Sequence, residues 1–273
     1  MVDFADDKSF DLGKDYEYIL SIRISPDGFS FSVTNTTNNK IVAFKITQLK
    51  ISDEKFIARR FDEWISTQEI LTHKFDQIQI VIFTDKFTLV PESMFSDKSS
   101  ASTLQNLFEN KTPSEIIENK IDGLNVRLLF SISQPLNFLL QSRFKKAHIL
   151  HPVKLLADNL LPNETGNKAI LFLTPGSMYL LLFNKNRLLL ANSFVVKHPN
   201  DVVYFLLTAL KQEMLNPKKT ELVLCGEKSQ TEETEKVFKN HFESIEKPNF
   251  DPKTGFTCEY LARPEYPLFT QLL

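Results

Sequence analysis

At 273 residues the chain is long enough for one large domain or two lobes of ordinary size. Its 42% hydrophobic and 24% charged residues suit a soluble globular protein, and a net charge of −2 leaves no electrostatic footprint for nucleic acid or an anionic membrane. No run approaches the roughly 20 apolar residues of a membrane helix, and the start MVDFADDKSF lacks the basic-then-apolar order of a secretory leader. Cys225 and Cys258 are far apart and lack CxxC spacing, so buried thiols in a reducing cytoplasm are expected. The 24 Phe residues predict a core of large rings, while only 7 Gly limit where backbone can crowd against a phosphate.

The first structured stretch is YILSIRISPDGFSFSVTNTTNNKIVAFKI, Tyr18 to Ile46. Phe29, Phe31 and Val33 alternate with Ser30, Ser32 and Thr34, the period of a strand with one apolar and one polar face. SPDGF is a turn in which Pro26 presets the backbone and Gly28 supplies a left-handed position, and NTTNNK is a second turn. A helix is expected over 53–72, with Ser52 as N-cap and Ile57, Phe61, Trp64, Ile65, Gln68 and Leu71 on one stripe. IQIVIF, 78–83, is short and β-branched, like a strand covered on both faces. The loop 92–111, rich in Ser, Asn and Lys, is expected to be the most mobile stretch.

LNVRLLFSIS then predicts a strand, QPLNFLLQSRF a helix opened by Pro135, KAHIL a strand, and PVKLLADNLL a helix between Pro152 and Pro162. From Ala169 the first pattern returns. AILFLT, the turn PGS, MYLLLF, the turn NKN and RLLLANSFVV make three strands. A helix capped by Asn200 or Asp201 runs to Met214 and stops before Pro217. ELVLC is a strand, and Ser229 with Glu232 has capping-box spacing for a last helix. Both halves therefore read β-β-β-α-β at an offset of about half the chain, the mark of an internal duplication.

Motifs for familiar chemistries are missing: GxSxG, HExxH, the P-loop and GxGxxG do not occur. His148 and His151 of HILH precede a proline on a strand, where residues three apart face opposite ways, and they read as structural. Asp62 and Glu63 read as a solvated helix face, the cations of SRFKKAH as complements to a helix dipole, and TEETEK as a solvated first turn.

Two β-β-β-α-β lobes in tandem resemble the actin-like fold of actin, sugar kinases and related ATPases. The chain as a whole resembles an uncharacterised bacterial family assigned that fold. The resemblance implies an α/β protein with a duplicated actin-like (ribonuclease H-like) fold, in two lobes, 1–152 and 153–273, each a mixed β-sheet flanked by helices. In active members the first hairpin of each lobe carries an Asp that holds Mg²⁺ through water, plus a Gly-containing turn whose N–H groups face the phosphates. Here the first Asp position is Arg23 and the turn Gly is Ser25; in the second lobe the equivalents are Phe172 and Thr174. Asp27 lies in a standard PDG turn, and Gly226 alone matches the adenosine-binding glycines.

The candidate interlobe-cleft residues are Arg23, Ser25, Asp27, Gly28, Thr174, Gly176, Ser177 and Gly226, with no catalytic residue, no metal ligand and no cofactor. The expectation is a cytoplasmic pseudoenzyme that binds a protein partner or acts as a scaffold, with homo-oligomerisation open and no nucleic acid or membrane insertion involved. The alternatives are an ATP-dependent kinase or ATPase with rearranged phosphate loops, using ATP and Mg, and a binder of small molecules in the cleft.

Overall fold

The computed structural model describes residues 3–6, 13, 17–95, 107–108, 113–161, 166–226 and 228–248. Pro162, Cys258 and most of the loop 92–111 lie outside them. The repeated order is present in both halves. In lobe I, β1 (Asp3–Asp6) is followed by an antiparallel meander of β2 (Tyr18–Ser25), β3 (Gly28–Asn35) and β4 (Lys40–Gln48). The helix α1 (Ile57–Ile65) then crosses over, so that β5 (Gln77–Ile82) returns parallel to β2.

Between β5 and the next strand of that sheet lies an inserted unit. It consists of β6 (Phe87–Pro91), β7 (Ser114–Ile121) and β8 (Val126–Ser133), a three-stranded antiparallel sheet in the order β6-β8-β7, followed by α2 (Gln134–Arg143). β9 (His148–Leu150) completes the lobe I sheet as β1-β4-β3-β2-β5-β9, and α3 (Pro152–Leu160) leads towards lobe II. Lobe II contains β10 (Asn167–Thr174), β11 (Ser177–Asn184), β12 (Arg187–Val195), α4 (Pro199–Gln212), β13 (Thr220–Gly226), α5 (Lys228–Phe238) and β14 (Ile245–Glu246). Its order, β12-β11-β10-β13-β14, matches β4-β3-β2-β5-β9 of lobe I strand for strand.

Strand alternation explains how each sheet is buried. In lobe I, Leu20, Ile22, Ile24, Phe29, Phe31 and Val33 share the core with Phe61 of α1, where the Phe29 and Phe61 rings meet edge to face at 5.2 Å. The expected polar face of β3 exists, yet it does not meet water. Ser21, Ser30, Ser32, Thr34 and Gln79 are all buried, and Gln79 Nε2 donates to Ser21 Oγ at 2.7 Å. In lobe II both faces are apolar. Ala169, Leu171, Leu173, Met178, Leu180 and Leu182 pack with Val202 and Leu206 of α4 and Phe238 of α5. Ile170, Phe172, Tyr179, Leu181 and Phe183 join Val153, Leu155 and Leu156 of α3 and the lobe I residues in one continuous core.

The helix expected over 53–72 is shorter than its stripe of apolar residues implied. Asp53, not Ser52, caps a 3-10 turn by accepting from the Lys55 amide, and α1 ends at Ile65. There Thr67 Oγ1 and Gln68 Nε2 both donate to the Trp64 carbonyl, and these side chains compete with continuation of the helix. A second 3-10 turn covers Glu69–Thr72. The acids read as solvated are paired: exposed Glu63 with Arg59 and Arg60, and half-buried Asp62 with Arg143 of α2. The last helix is already under way at Lys228, one residue before Ser229.

His198, rather than Asn200 or Asp201, is the N-cap of α4. Asp201 sits within the first turn and reaches back to accept from the Lys197 and His198 amides, at 2.9 Å each. Those two bonds hold its carboxyl below the ordinary aspartate range. Asp201→Ala is expected to lower the urea midpoint at unchanged m-value.

Candidate functional site

Two turns, one from each lobe, meet across a cleft. Ser25-Pro26-Asp27-Gly28 joins β2 to β3, and Thr174-Pro175-Gly176-Ser177 joins β10 to β11, the same place in the repeated unit. Proline presets the first corner of each. In the second turn Gly176 takes φ +82°, as the third residue of a type II turn requires. The cleft between them has a volume of about 280 Å³ and is also lined by Glu54, Thr84, Asp85, Ser131, Ser133, Tyr179 and Ser193.

The structure thus brings Ser25, Asp27, Thr174, Gly176 and Ser177 together, whereas Arg23, Gly28 and Gly226 do not line the cleft. Arg23 stands behind Asp27. Its Nη2 donates to both Asp27 carboxylate oxygens, at 2.7 and 3.0 Å, and its guanidinium lies 4.8 Å from the Phe83 ring centre. Ser25 Oγ donates to the same carboxylate. Asp27 is therefore held by two side chains of its own hairpin. In lobe II the Thr174 hydroxyl donates to the Ser177 carbonyl at 3.1 Å and accepts from Ser177 Oγ at 2.7 Å, closing the turn on itself.

Gly28 and Gly226 are needed for packing. A Cβ on Gly28 would fall 2.1 Å from the Thr47 carbonyl oxygen of β4, and one on Gly226 would fall 2.2 Å from the Leu173 carbonyl oxygen of β10. Both glycines let neighbouring strands approach, and neither offers its amide to the cleft as a phosphate cradle would. Of these three candidate glycines only Gly176 is open, with nothing within 4 Å of the place a Cβ would take.

Asp85 was not anticipated. It follows β5 in FTDK, lines the cleft, and has no ion-pair partner among the described residues, whereas its neighbour Lys86 is paired with Glu54. Its signal was available: an acid three residues beyond a buried parallel strand stands at the carboxyl end of the sheet, where open α/β sheets place ligands.

The two histidines part as strand geometry requires. His148 is exposed, and His151 is fully buried. His151 Nδ1 accepts from the Val153 amide at the start of α3, which leaves Nε2 as the protonated nitrogen, donating to the Thr84 carbonyl at 3.0 Å. Burial pushes its pKa down to about 3, so the ring is neutral. Burial likewise pushes the Cys225 thiol up to about 12, making it unreactive. No group of three or more His, Cys, Asp or Glu is placed to hold a metal among the described residues.

The family model described as "Protein of unknown function (DUF3822)" matches residues 7–245. The chain belongs to the DUF3822 family. No curated protein matches it. Among solved structures it is similar to a Bacteroides thetaiotaomicron protein described as having an actin-like ATPase fold and unknown function. The TM-score is 0.78 at 23% identity, over 86% of this chain and 92% of that one. It is also similar to a chain of the PilM–PilN type IV pilus biogenesis complex, with a TM-score of 0.55 at 12% identity over 93% and 97% of the two chains. The DUF3822 chain therefore has the actin-like fold, as its doubled strand order implied.

The resemblance to active actin-like ATPases puts one metal-holding carboxylate on the first hairpin of each lobe. The two hairpin positions from which a metal-holding carboxylate would project are Arg23, tied to Asp27, and Phe172, buried between Phe83 and Tyr179. No helix is long and apolar enough to cross a membrane among the described residues.

Proposed function

We propose that this DUF3822 protein is a non-catalytic actin-like protein that works by binding a protein partner, as a scaffold or adaptor. The observation that carries the reading is the pair of substitutions at the head of the cleft. A guanidinium locked onto its own hairpin carboxylate and a phenyl ring in the core stand where phosphoryl transfer needs metal-anchoring acids. The frame around them is intact, which suits a surface maintained for recognition. The PilM–PilN complex provides an analogue in which a chain of similar fold belongs to a protein assembly.

The cleft favours a second reading. Hydroxyls from Ser25, Ser133, Thr174 and Ser177, together with the Asp85 carboxylate, line a cavity suited to a small polar ligand without phosphate.

A thermal-shift titration with Mg·ATP separates these readings from a kinase or ATPase. We expect the melting temperature to stay put up to millimolar nucleotide. A nucleotide switch would gain about 2.7 kcal/mol at 100 times its dissociation constant. A shift of that kind, abolished by Arg23→Ala, would overturn the proposal.

A further inference from the structure

We propose that the two lobes are riveted at the floor of the cleft by Tyr179, so that the cleft has one fixed opening and does not close by lobe rotation. Tyr179 belongs to β11 of lobe II, and its hydroxyl donates to the carbonyl of Thr84, two residues past the end of β5 of lobe I, at 3.2 Å. The same carbonyl accepts from His151 Nε2 at 3.0 Å, and His151 is the cap of α3, the helix between the lobes. One oxygen thus takes a hydrogen bond from lobe II and another from the connecting helix, using both of its lone pairs.

The ring of Tyr179 is enclosed on the same terms. Its centroid lies 6.1 Å from Phe83 of lobe I, 6.2 Å from Phe87 of the inserted sheet, 5.7 Å from His151 and 6.5 Å from Phe172 of lobe II. All three sheets therefore meet on one side chain. Below it, Leu181 and Phe183 continue the same face of β11 into the core shared with α3 and lobe I. Lobes joined by an extensive apolar interface lose the relative motion that lobes joined by a polar one retain. The position in lobe I that matches Tyr179 is Ser30, two residues into β3 as Tyr179 is two residues into β11. The tyrosine is therefore a feature of lobe II alone, absent from its counterpart in the duplicated unit.

Two measurements on the full chain test this. Nitroxide labels at Arg59→Cys and Lys211→Cys, both exposed and one in each lobe, are placed on a Cys225→Ala, Cys258→Ala background. They should report a single interlobe distance in the otherwise unaltered protein. Two populated distances would overturn the proposal. In hydrogen exchange, Tyr179→Phe keeps the ring and removes only the donor. Amides of 83–87 and 174–179, on both sides of the cleft, should then exchange about five- to tenfold faster, while Phe183→Leu, a control in the same core, should leave that pair of segments without a matched change. Unchanged exchange in Tyr179→Phe, or equal acceleration by Phe183→Leu, would show that the hydroxyl is not the rivet.

Discussion

Phe172→Asp, which writes an acid back into the lobe II hairpin, is expected to unfold the protein rather than create a metal site. Phe172 is 1% exposed, and its ring lies 6.2 Å from Phe83 and 6.5 Å from Tyr179. Removing a buried phenyl side chain costs about 3–5 kcal/mol through lost transfer energy and the cavity it leaves. A carboxylate in its place adds several kcal/mol of desolvation. Together these approach the whole stability of a typical domain, about 5–15 kcal/mol. The variant should be insoluble or lack a cooperative urea transition, whereas Phe172→Leu should cost only about 1 kcal/mol. If Phe172→Asp were folded and gained affinity for Mg²⁺, the claim that this position has become core would be wrong.

Mild acid should destabilise the protein through His151. Its pKa is about 3 when folded, against an ordinary 6.5, because burial disfavours the imidazolium. Between those values the unfolded chain binds a proton at this residue and the folded chain does not. Stability is therefore complete above pH 6.5 and falls as pH drops towards 3, by about 1.4 kcal/mol per pH unit. The loss reaches about 4 kcal/mol at the acid end of the window. His151→Asn, whose side chain can still cap α3 but cannot titrate, should be less stable at pH 7 and should lose less stability between pH 6.5 and 4.5. Parallel pH profiles for the two proteins would show that His151 does not carry the effect.

The repeat was legible because both hairpins announce themselves. SPDG and TPGS each sit between runs of strand-forming residues, and turn chemistry of that kind is local. The inserted sheet was only partly so: LNVRLLFSIS reads as a strand and is β8, but β6 and β7 were not anticipated. SEIIENKI mixes charges into both faces, and β7 is only half-buried over its first four residues, so no clean alternation marks it. β6 is five residues long and ends in Pro91, which demotes a strand reading.

The polar face of β3 was legible as polar but not as buried, since alternation reports chemistry and not what lies across from it. At the candidate site, Ser25, Asp27, Thr174, Gly176 and Ser177 could be named from the two hairpin turns and the resemblance those turns carry. Thr84 and Asp85, in the loop after β5, were missed: an acid following the strand was visible in the sequence, but its place at the cleft depends on the parallel return of β5 beside β2.

The most direct test of the central claim is a single-turnover assay. The protein is held in excess over ATP labelled at the γ-phosphate, with magnesium present, and phosphate release or transfer is followed. We expect a rate equal to that of buffer alone, the same for wild type and Arg23→Ala. Magnesium-dependent turnover above that background would contradict the account, because it would mean that the cleft keeps the chemistry which Arg23 and Phe172 are argued to have displaced.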